Sequence, residues 1–170
     1  MIGNDIVDLH LSRLESNWQR KGWLKKIFTP NEQIIIQNAD NQELMVWYLW
    51  TRKEAAYKIY VQETRVVGFF PQKIECSLDH TNCGTTVINS KLYHTKTEVT
   101  NDFIYSIALK NIDDFNCVIT LGNRNSIVKN NQIPTFNEIE NNTVNFVSIT
   151  NHGRFERIIM LKPFIVPNLF

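Results

Sequence analysis

Apolar residues recur at two different periods along this chain, and the change from one to the other divides it. From Asp5 to Leu24 the residues Ile6, Leu9, Leu14 and Trp18 fall at helical spacing, interrupted near Gly22. This predicts a helix opening at Asp5, after a short strand or strand end over residues 1–4. Thr29-Pro30-Asn31-Glu32 reads as a helix start, with Thr as N-cap, Pro in the first turn and Glu three places after the cap. That helix carries Ile34, Ile35 and Ile36 and ends in the polar stretch Gln37–Glu43. Leu44–Gln62 is the strongest helix, rich in Leu, Met, Ala, Glu and Lys, with Trp47 and Trp50 on or near its buried side. Beyond it the segments are short and β-branched. Lys73–Leu78, Thr85–Tyr93, Phe103–Leu109 and Cys117–Leu121 predict antiparallel strands, and Gly122–Asn131 a loop. Val144–Ile149 and Arg157–Leu161 predict two more strands around a turn at Asn151-His152-Gly153-Arg154. Helices first and strands afterwards is the α+β pattern: helices packed on a mostly antiparallel sheet. One domain over residues 1–170 is expected, with 113–170 carrying a linker and the final strand-turn-strand.

Composition changes this picture little. At 170 residues the chain can bury a core of its own, and a net charge of +1 names no partner. The widely spaced Cys76, Cys83 and Cys117 lack zinc spacing and read as reduced thiols of a cytoplasmic protein. The first ten residues lack the apolar core of a secretory leader, and no apolar run is long enough to span a membrane. The apolar ending, residues 163–170, suits a segment docked on the core or on a neighbouring subunit. Local charge is more informative. Arg20, Lys21, Lys25 and Lys26 occur in a stretch without acids, which suits an acidic protein, phosphates or nucleic acid, or simply a solvated helix face. No nucleic-acid motif accompanies them.

Two places carry candidate chemistry. In Lys53-Glu54-Ala55-Ala56-Tyr57-Lys58, Glu54 and Lys58 share a helix face one turn apart. In Gly3-Asn4-Asp5, a strand ending in Gly-x-Asp presents a carboxylate. Taken singly, the first is an ordinary i,i+4 ion pair and the second an N-cap. Together the two carboxylates make a hard-oxygen pair of the kind Mg2+ takes alongside substrate phosphates and water.

The order of short motifs is more specific than any one of them. Gly3-x-Asp5, Phe28-Thr29-Pro30-Asn31-Glu32 and Trp50-Thr51-Arg52-Lys53-Glu54-Ala55-Ala56-Tyr57-Lys58 resemble the G-x-D, F-S/T-x-x-E and W-x-x-K-E-A-x-x-K signatures of the 4'-phosphopantetheinyl transferase superfamily. Ser148-Ile149-Thr150-Asn151-His152-Gly153-Arg154-Phe155 resembles the family's S-I-S-H-x-G-R-F/W turn. With that turn last, the motif order is similar to the small holo-acyl-carrier-protein synthases. The Trp at position 50 and the added strands from Cys83 to Leu121 look more like the larger, two-lobed members.

The resemblance implies a Mg2+-dependent transfer of the 4'-phosphopantetheine group from coenzyme A to a serine of an apo acyl carrier protein or related carrier domain. It implies metal ligands at Asp5 and Glu54, catalytic roles for Glu54 and Lys58, and coenzyme A contacts from Lys53, Lys58, Pro134, Thr150, Asn151 and His152. Asp8 is expected either to reach the metal through water or to be a solvated helix acid, and Glu32 either to assist catalysis or to close a capping box. Arg13, Arg20, Lys21, Lys25 and Lys26 become a docking face for an acidic carrier. A homotrimer is expected by analogy with the small type. Two positions depart from the pattern: Asn151 stands where the family has histidine, and Gln132-Ile133 where it often has Gly-Lys before Pro134. These departures keep a second expectation open, a non-catalytic module that binds a carrier protein or coenzyme A.

Overall fold

Helix α4 (Gln42–Thr64) is the longest element and the support for the rest. The Asn41 side chain caps it by accepting the Leu44 amide at 3.0 Å, and Arg65 closes it in the left-handed conformation. A computed structural model describes residues 1–79, 81–130, 133–138 and 143–162 of the chain. Before α4 come β1 (Ile2–Asp8), α1 (Leu9–Glu15), α2 (Trp23–Ile27) and α3 (Pro30–Asn38). After it come β2 (Ile74–Leu78), β3 (Cys83–Ile88), β4 (Lys91–Val99), β5 (Phe103–Leu109), β6 (Val118–Thr120), β7 (Ile127–Asn130), β8 (Ile133–Glu138), β9 (Thr143–His152) and β10 (Phe155–Leu161). The fold is α+β, as the order of patterns predicts, but with two five-stranded antiparallel sheets rather than one. Their strand orders are β1-β5-β4-β3-β2 and β6-β10-β9-β8-β7. Val46, Leu49, Ala55, Ala56 and Ile59 of α4 are buried with Ile74, Ile88, Tyr93, Ile104 and Ala108 of the first sheet, and this contact is most of the core.

Three expectations change. The first strand does not stop at Asn4: it runs through Asp8, with Asp5 opposite Ser106 of β5. The helix therefore starts at Leu9, capped by Asp8, whose Oδ1 accepts the amides of His10 and Leu11 at 3.0 and 3.3 Å. Strand β1 is buried on both faces, so it shows no alternation by which to tell it from a helix. The single strand expected over Thr85–Tyr93 is a hairpin, turning at Asn89 and Ser90, both at positive φ. The loop expected over Gly122–Asn131 contains β7, which pairs with the equally polar β8. The apolar ending and Gln132 lie outside the described residues.

The two sheets meet along the free edge of β1, through side chains rather than a backbone ladder. The edge amides at residues 2, 4, 6 and 8 each find a side-chain acceptor. Ile2 donates to Gln62 Oε1 at 3.1 Å, Asn4 to Ser148 Oγ at 2.9 Å, Ile6 to Thr150 Oγ1 at 3.2 Å and Asp8 to His152 Nδ1 at 2.9 Å. Alternate residues of one face of β9 thus satisfy alternate amides of β1. At the end of this seam Arg154 clamps Asp8, from Nε to Oδ2 at 2.9 Å and from Nη2 to Oδ1 at 3.0 Å. A side chain at position 153 would meet Asp8 Oδ2 at 2.5 Å, so Gly153 is required there. Asp8 is therefore neither a solvated acid nor turned to a metal, and Arg154 holds its carboxyl well below the usual range.

No helix among the described residues is long and apolar enough to cross a membrane. The three cysteines are free thiols, and burial pushes the Cys76 thiol up to about 12, which leaves it inert.

Candidate active site

The site forms where α4 crosses β1. A side chain at Gly3 would lie 1.9 Å from the Ala55 carbonyl oxygen, so only glycine lets the helix backbone come this close. Asp5 is two residues further along the strand and faces the same way, toward the helix. There it meets Glu54 and Lys58, which share one face of α4. Lys58 Nζ donates to the Asn4 carbonyl at 2.6 Å and the Ile149 carbonyl at 3.2 Å, and lies 3.5 Å from Asp5 Oδ1. Thr150 Oγ1, which accepts the Ile6 amide, donates to the same Asp5 oxygen at 3.0 Å.

Electrostatics set this pair of acids apart. Burial, together with the neighbouring Asp5 charge, pushes Glu54 up to about 7, and Lys58 offsets only part of this. Burial also raises Asp5, against the opposing effects of Lys58 and Thr150. Two buried carboxyls, one of them raised further by the other's charge, leave an unmet demand for positive charge at this point. The pair could hold a divalent cation, since Mg2+ needs only one or two protein carboxylates when substrate phosphates and water fill its other positions. Among the described residues there is no group of three or more acids, histidines or cysteines that would hold a metal without such help.

Two clefts open at this site. One, of about 340 Å3, contains Asp5 and Glu54 and is walled by Trp23, Trp47 and Trp50, with His152 at its side. The other, of about 320 Å3, holds Lys58, Arg124 and Lys129 among apolar residues that include Tyr57 and Pro134. Asn151 lines both, so the clefts adjoin there. The basic residues Arg20, Lys21, Lys25 and Lys26 are exposed beside Trp23, and Arg13 pairs with Glu43 at 3.1 Å.

The structure thus brings Asp5, Glu54, Lys58, Thr150, Asn151 and His152 together, with Pro134 in the adjoining cleft. Within this group Thr150 orients Asp5, and His152 turns Nδ1 to β1 while its Nε2 lies 4.0 Å from Glu15 Oε2. Lys53 is elsewhere. Its ammonium is wholly buried, 2.7 Å from Glu32 Oε2, and donates to the carbonyls of Pro71 and Ile74. The expectation that Lys53 meets a phosphate is therefore corrected: it points into the core, away from both clefts. Glu32 closes the capping box with Thr29, accepting its amide at 2.9 Å, and also accepts the Cys76 amide at 2.9 Å. The acid of one motif and the lysine of another form a structural pair that ties α3, α4 and β2 together. Sequence reasoning missed Arg124 and Lys129, because they lie in and beside a short polar strand that reads as loop.

Residues 1–117 match the family model described as the 4'-phosphopantetheinyl transferase superfamily. The chain belongs to this superfamily. Its fold is similar to that of holo-acyl-carrier-protein synthase from Helicobacter pylori, solved in complex with coenzyme A. The TM-score is 0.52 at 15% identity, covering 64% of this chain and 98% of that one. The holo-acyl-carrier-protein synthase of Thermotoga maritima has a TM-score of 0.50 at 10% identity, covering 95% of this chain and 83% of that one. No curated protein sequence matches the chain significantly. The family match ends at Cys117, so β9, whose Thr150 reaches Asp5, lies outside it.

Proposed function

We propose that this member of the superfamily transfers the 4'-phosphopantetheine group of coenzyme A to a serine hydroxyl of an apo acyl carrier protein or related carrier domain. The observation that carries the reading is the acid pair Asp5 and Glu54, with Lys58 beside it, at the meeting point of a basic cleft and a tryptophan-walled cleft. The serine oxygen forms a bond to the β-phosphorus of coenzyme A. The bond from that phosphorus to the bridging oxygen breaks, and 3',5'-ADP leaves with the electron pair. Asp5 and Glu54 would hold Mg2+, which when bound offsets pyrophosphate charge. Lys58 places a further positive charge against the transferring phosphate, from an ammonium already fixed by two backbone carbonyls. Glu54, the carboxylate beside Lys58 at this point, is suited to accept the serine proton. Thr150 keeps Asp5 turned to the site. The Arg20–Lys26 surface fits an acidic carrier approaching the tryptophan cleft. The motif order supports a homotrimer, which a light-scattering mass tests.

Incubation with coenzyme A, Mg2+ and apo-carrier proteins from the same genome, read by intact mass, tests the reading. A carrier that gains one phosphopantetheine supports it. The second reading, a module that binds without transferring, is favoured by Asn151 and by the buried Ile133 at motif positions where the family has other residues. It predicts carrier or coenzyme A binding with no mass gain.

A further inference from the structure

The two acids of the site come from different elements, Asp5 from β1 and Glu54 from α4, and like charges brought together push those elements apart. Lys58 ties the helix to the strand at the cleft. A second tie lies deeper and is made of hydroxyls. Thr51, Thr97 and Ser106 are buried, and so is Arg52. Thr51 Oγ1 is 2.7 Å from Ser106 Oγ, which is 2.8 Å from Thr97 Oγ1. The direction of these bonds follows from the two ends of the chain. Arg52 Nε can only donate, and does so to Thr97 Oγ1 at 2.8 Å. At the other end the Thr51 hydroxyl donates to the Tyr48 carbonyl at 3.2 Å. Each hydroxyl has one proton to give, so Thr97 donates to Ser106 and Ser106 to Thr51. Arg52 Nη2 donates to the carbonyls of Asn82 and Cys83, both at 3.0 Å, which fixes the guanidinium against the start of β3.

These hydroxyls join the neighbours of the two acids. Ser106 stands opposite Asp5 in the β1–β5 pairing, so the two side chains share the face turned to α4. Thr51 precedes Glu54 by three residues, and Thr51, Glu54 and Lys58 fall on one stripe of the helix. Positions 51 and 52 are the two that the W-x-x-K-E signature leaves open. We propose that Thr51 and Ser106 are positioning residues: their hydrogen bond sets where α4 rests on the strand pair β1–β5, and with it the separation of Asp5 and Glu54 that a divalent cation has to bridge. This rests on the metal role given to the two acids above. The Gly3–Ala55 contact stops the helix from coming closer, and the hydroxyl bond stops it from turning or sliding. The site is thus preorganised for the cation, because the fold and not the metal opposes the repulsion between the acids. The bond can raise the affinity by no more than its own worth, about two- to tenfold.

Calorimetric titration of the full chain with Mg2+ tests this without requiring transfer. Thr51→Val keeps the side-chain shape and removes the hydroxyl, and Ser106→Ala removes its partner. Each weakens Mg2+ binding about two- to tenfold with circular dichroism unchanged. Thr51→Ser returns the hydroxyl and restores the wild-type affinity. Tyr93→Phe removes a 2.8 Å hydrogen bond to Glu63 elsewhere on the same sheet, and lowers stability without changing the affinity. Unchanged Mg2+ binding in either Thr51→Val or Ser106→Ala, read from whichever of them folds, overturns the proposal. So does a loss that Thr51→Ser fails to restore or that Tyr93→Phe reproduces; in each case the metal reading stands. No Mg2+ binding by the wild type overturns that reading and this inference with it.

Discussion

The hydroxyl of Thr150 donates to Asp5 Oδ1 at 3.0 Å while its oxygen accepts the amide of Ile6 at 3.2 Å. One side chain from β9 thus fixes the strand that carries the acid and the rotamer of the acid itself. Thr150→Val keeps the shape and removes both bonds. It is expected to cost about 1–3 kcal/mol of stability, because the Ile6 amide is left buried without an acceptor. It should also weaken Mg2+ binding. Thr150→Ser should restore both. Denaturant unfolding and calorimetry with Mg2+ read the two effects separately.

Glu54 gives a pH signature. Its carboxyl titrates near 7 in the folded protein and near 4.5 when unfolded. Between these values the native state binds the proton and the unfolded state does not. Stability from this group is therefore present below pH 4.5, falls as pH rises toward 7, and is flat above. The full span is at most about 3 kcal/mol. Glu54→Gln should remove this slope from urea unfolding curves recorded between pH 5 and 8 in EDTA. It should also abolish transfer, as should Asp5→Asn, with circular dichroism unchanged. Full transfer by either variant rules out the assigned site.

The Glu32–Lys53 pair is structural. Glu32→Gln leaves a buried ammonium unpaired and is expected to cost roughly 3–5 kcal/mol. Replacing both with apolar residues of similar volume, Glu32→Leu with Lys53→Met, should recover much of that loss. A double-mutant cycle by denaturant unfolding decides this. If Lys53 instead served a phosphate, Lys53→Met would act chiefly on the Michaelis constant for coenzyme A.

The basic surface near Trp23 offers a kinetic test. Reversing charge with Lys25→Glu and Lys26→Glu should raise the Michaelis constant for carrier protein several-fold at low salt and leave that for coenzyme A unchanged. Equal effects on both substrates argue against docking there.

Gly3→Ala should be among the most damaging single changes. Its methyl would sit 1.9 Å from a backbone carbonyl that cannot move without shifting α4. A loss of more than about 3 kcal/mol, or insoluble expression, is expected; near-wild-type unfolding would mean the helix does not rest on β1 as described.

Much of this was legible where the information is local. The capping box at Thr29 and Glu32, and helix α4 with Glu54 and Lys58 on one face, follow from spacing alone. The same geometry bears on Lys53. Neighbouring helix positions point roughly 100° apart, so Lys53 does not share the face of Glu54. What it faces instead depends on where α3 packs, and spacing is silent on that. Strand β1 was misjudged because burial on both faces erases alternation. Strands β7 and β8 were hidden by their polar composition, and Arg124 and Lys129 with them. The alternating acceptors Ser148, Thr150 and His152 were visible as a motif, but their partners on β1 lie 144 residues away.

That separation has a temporal meaning. During synthesis β1 emerges before β9, and its edge amides at residues 4, 6 and 8 lack their acceptors until β9 has left the ribosome. Until then the strand keeps three amides without a protein partner, a condition that favours pairing with foreign strands. Asp5 likewise lacks Thr150. Contacts this remote in sequence form slowly, so the contact that orients Asp5 is a late event, and a nascent chain can hold the whole of α4 and still have no working site.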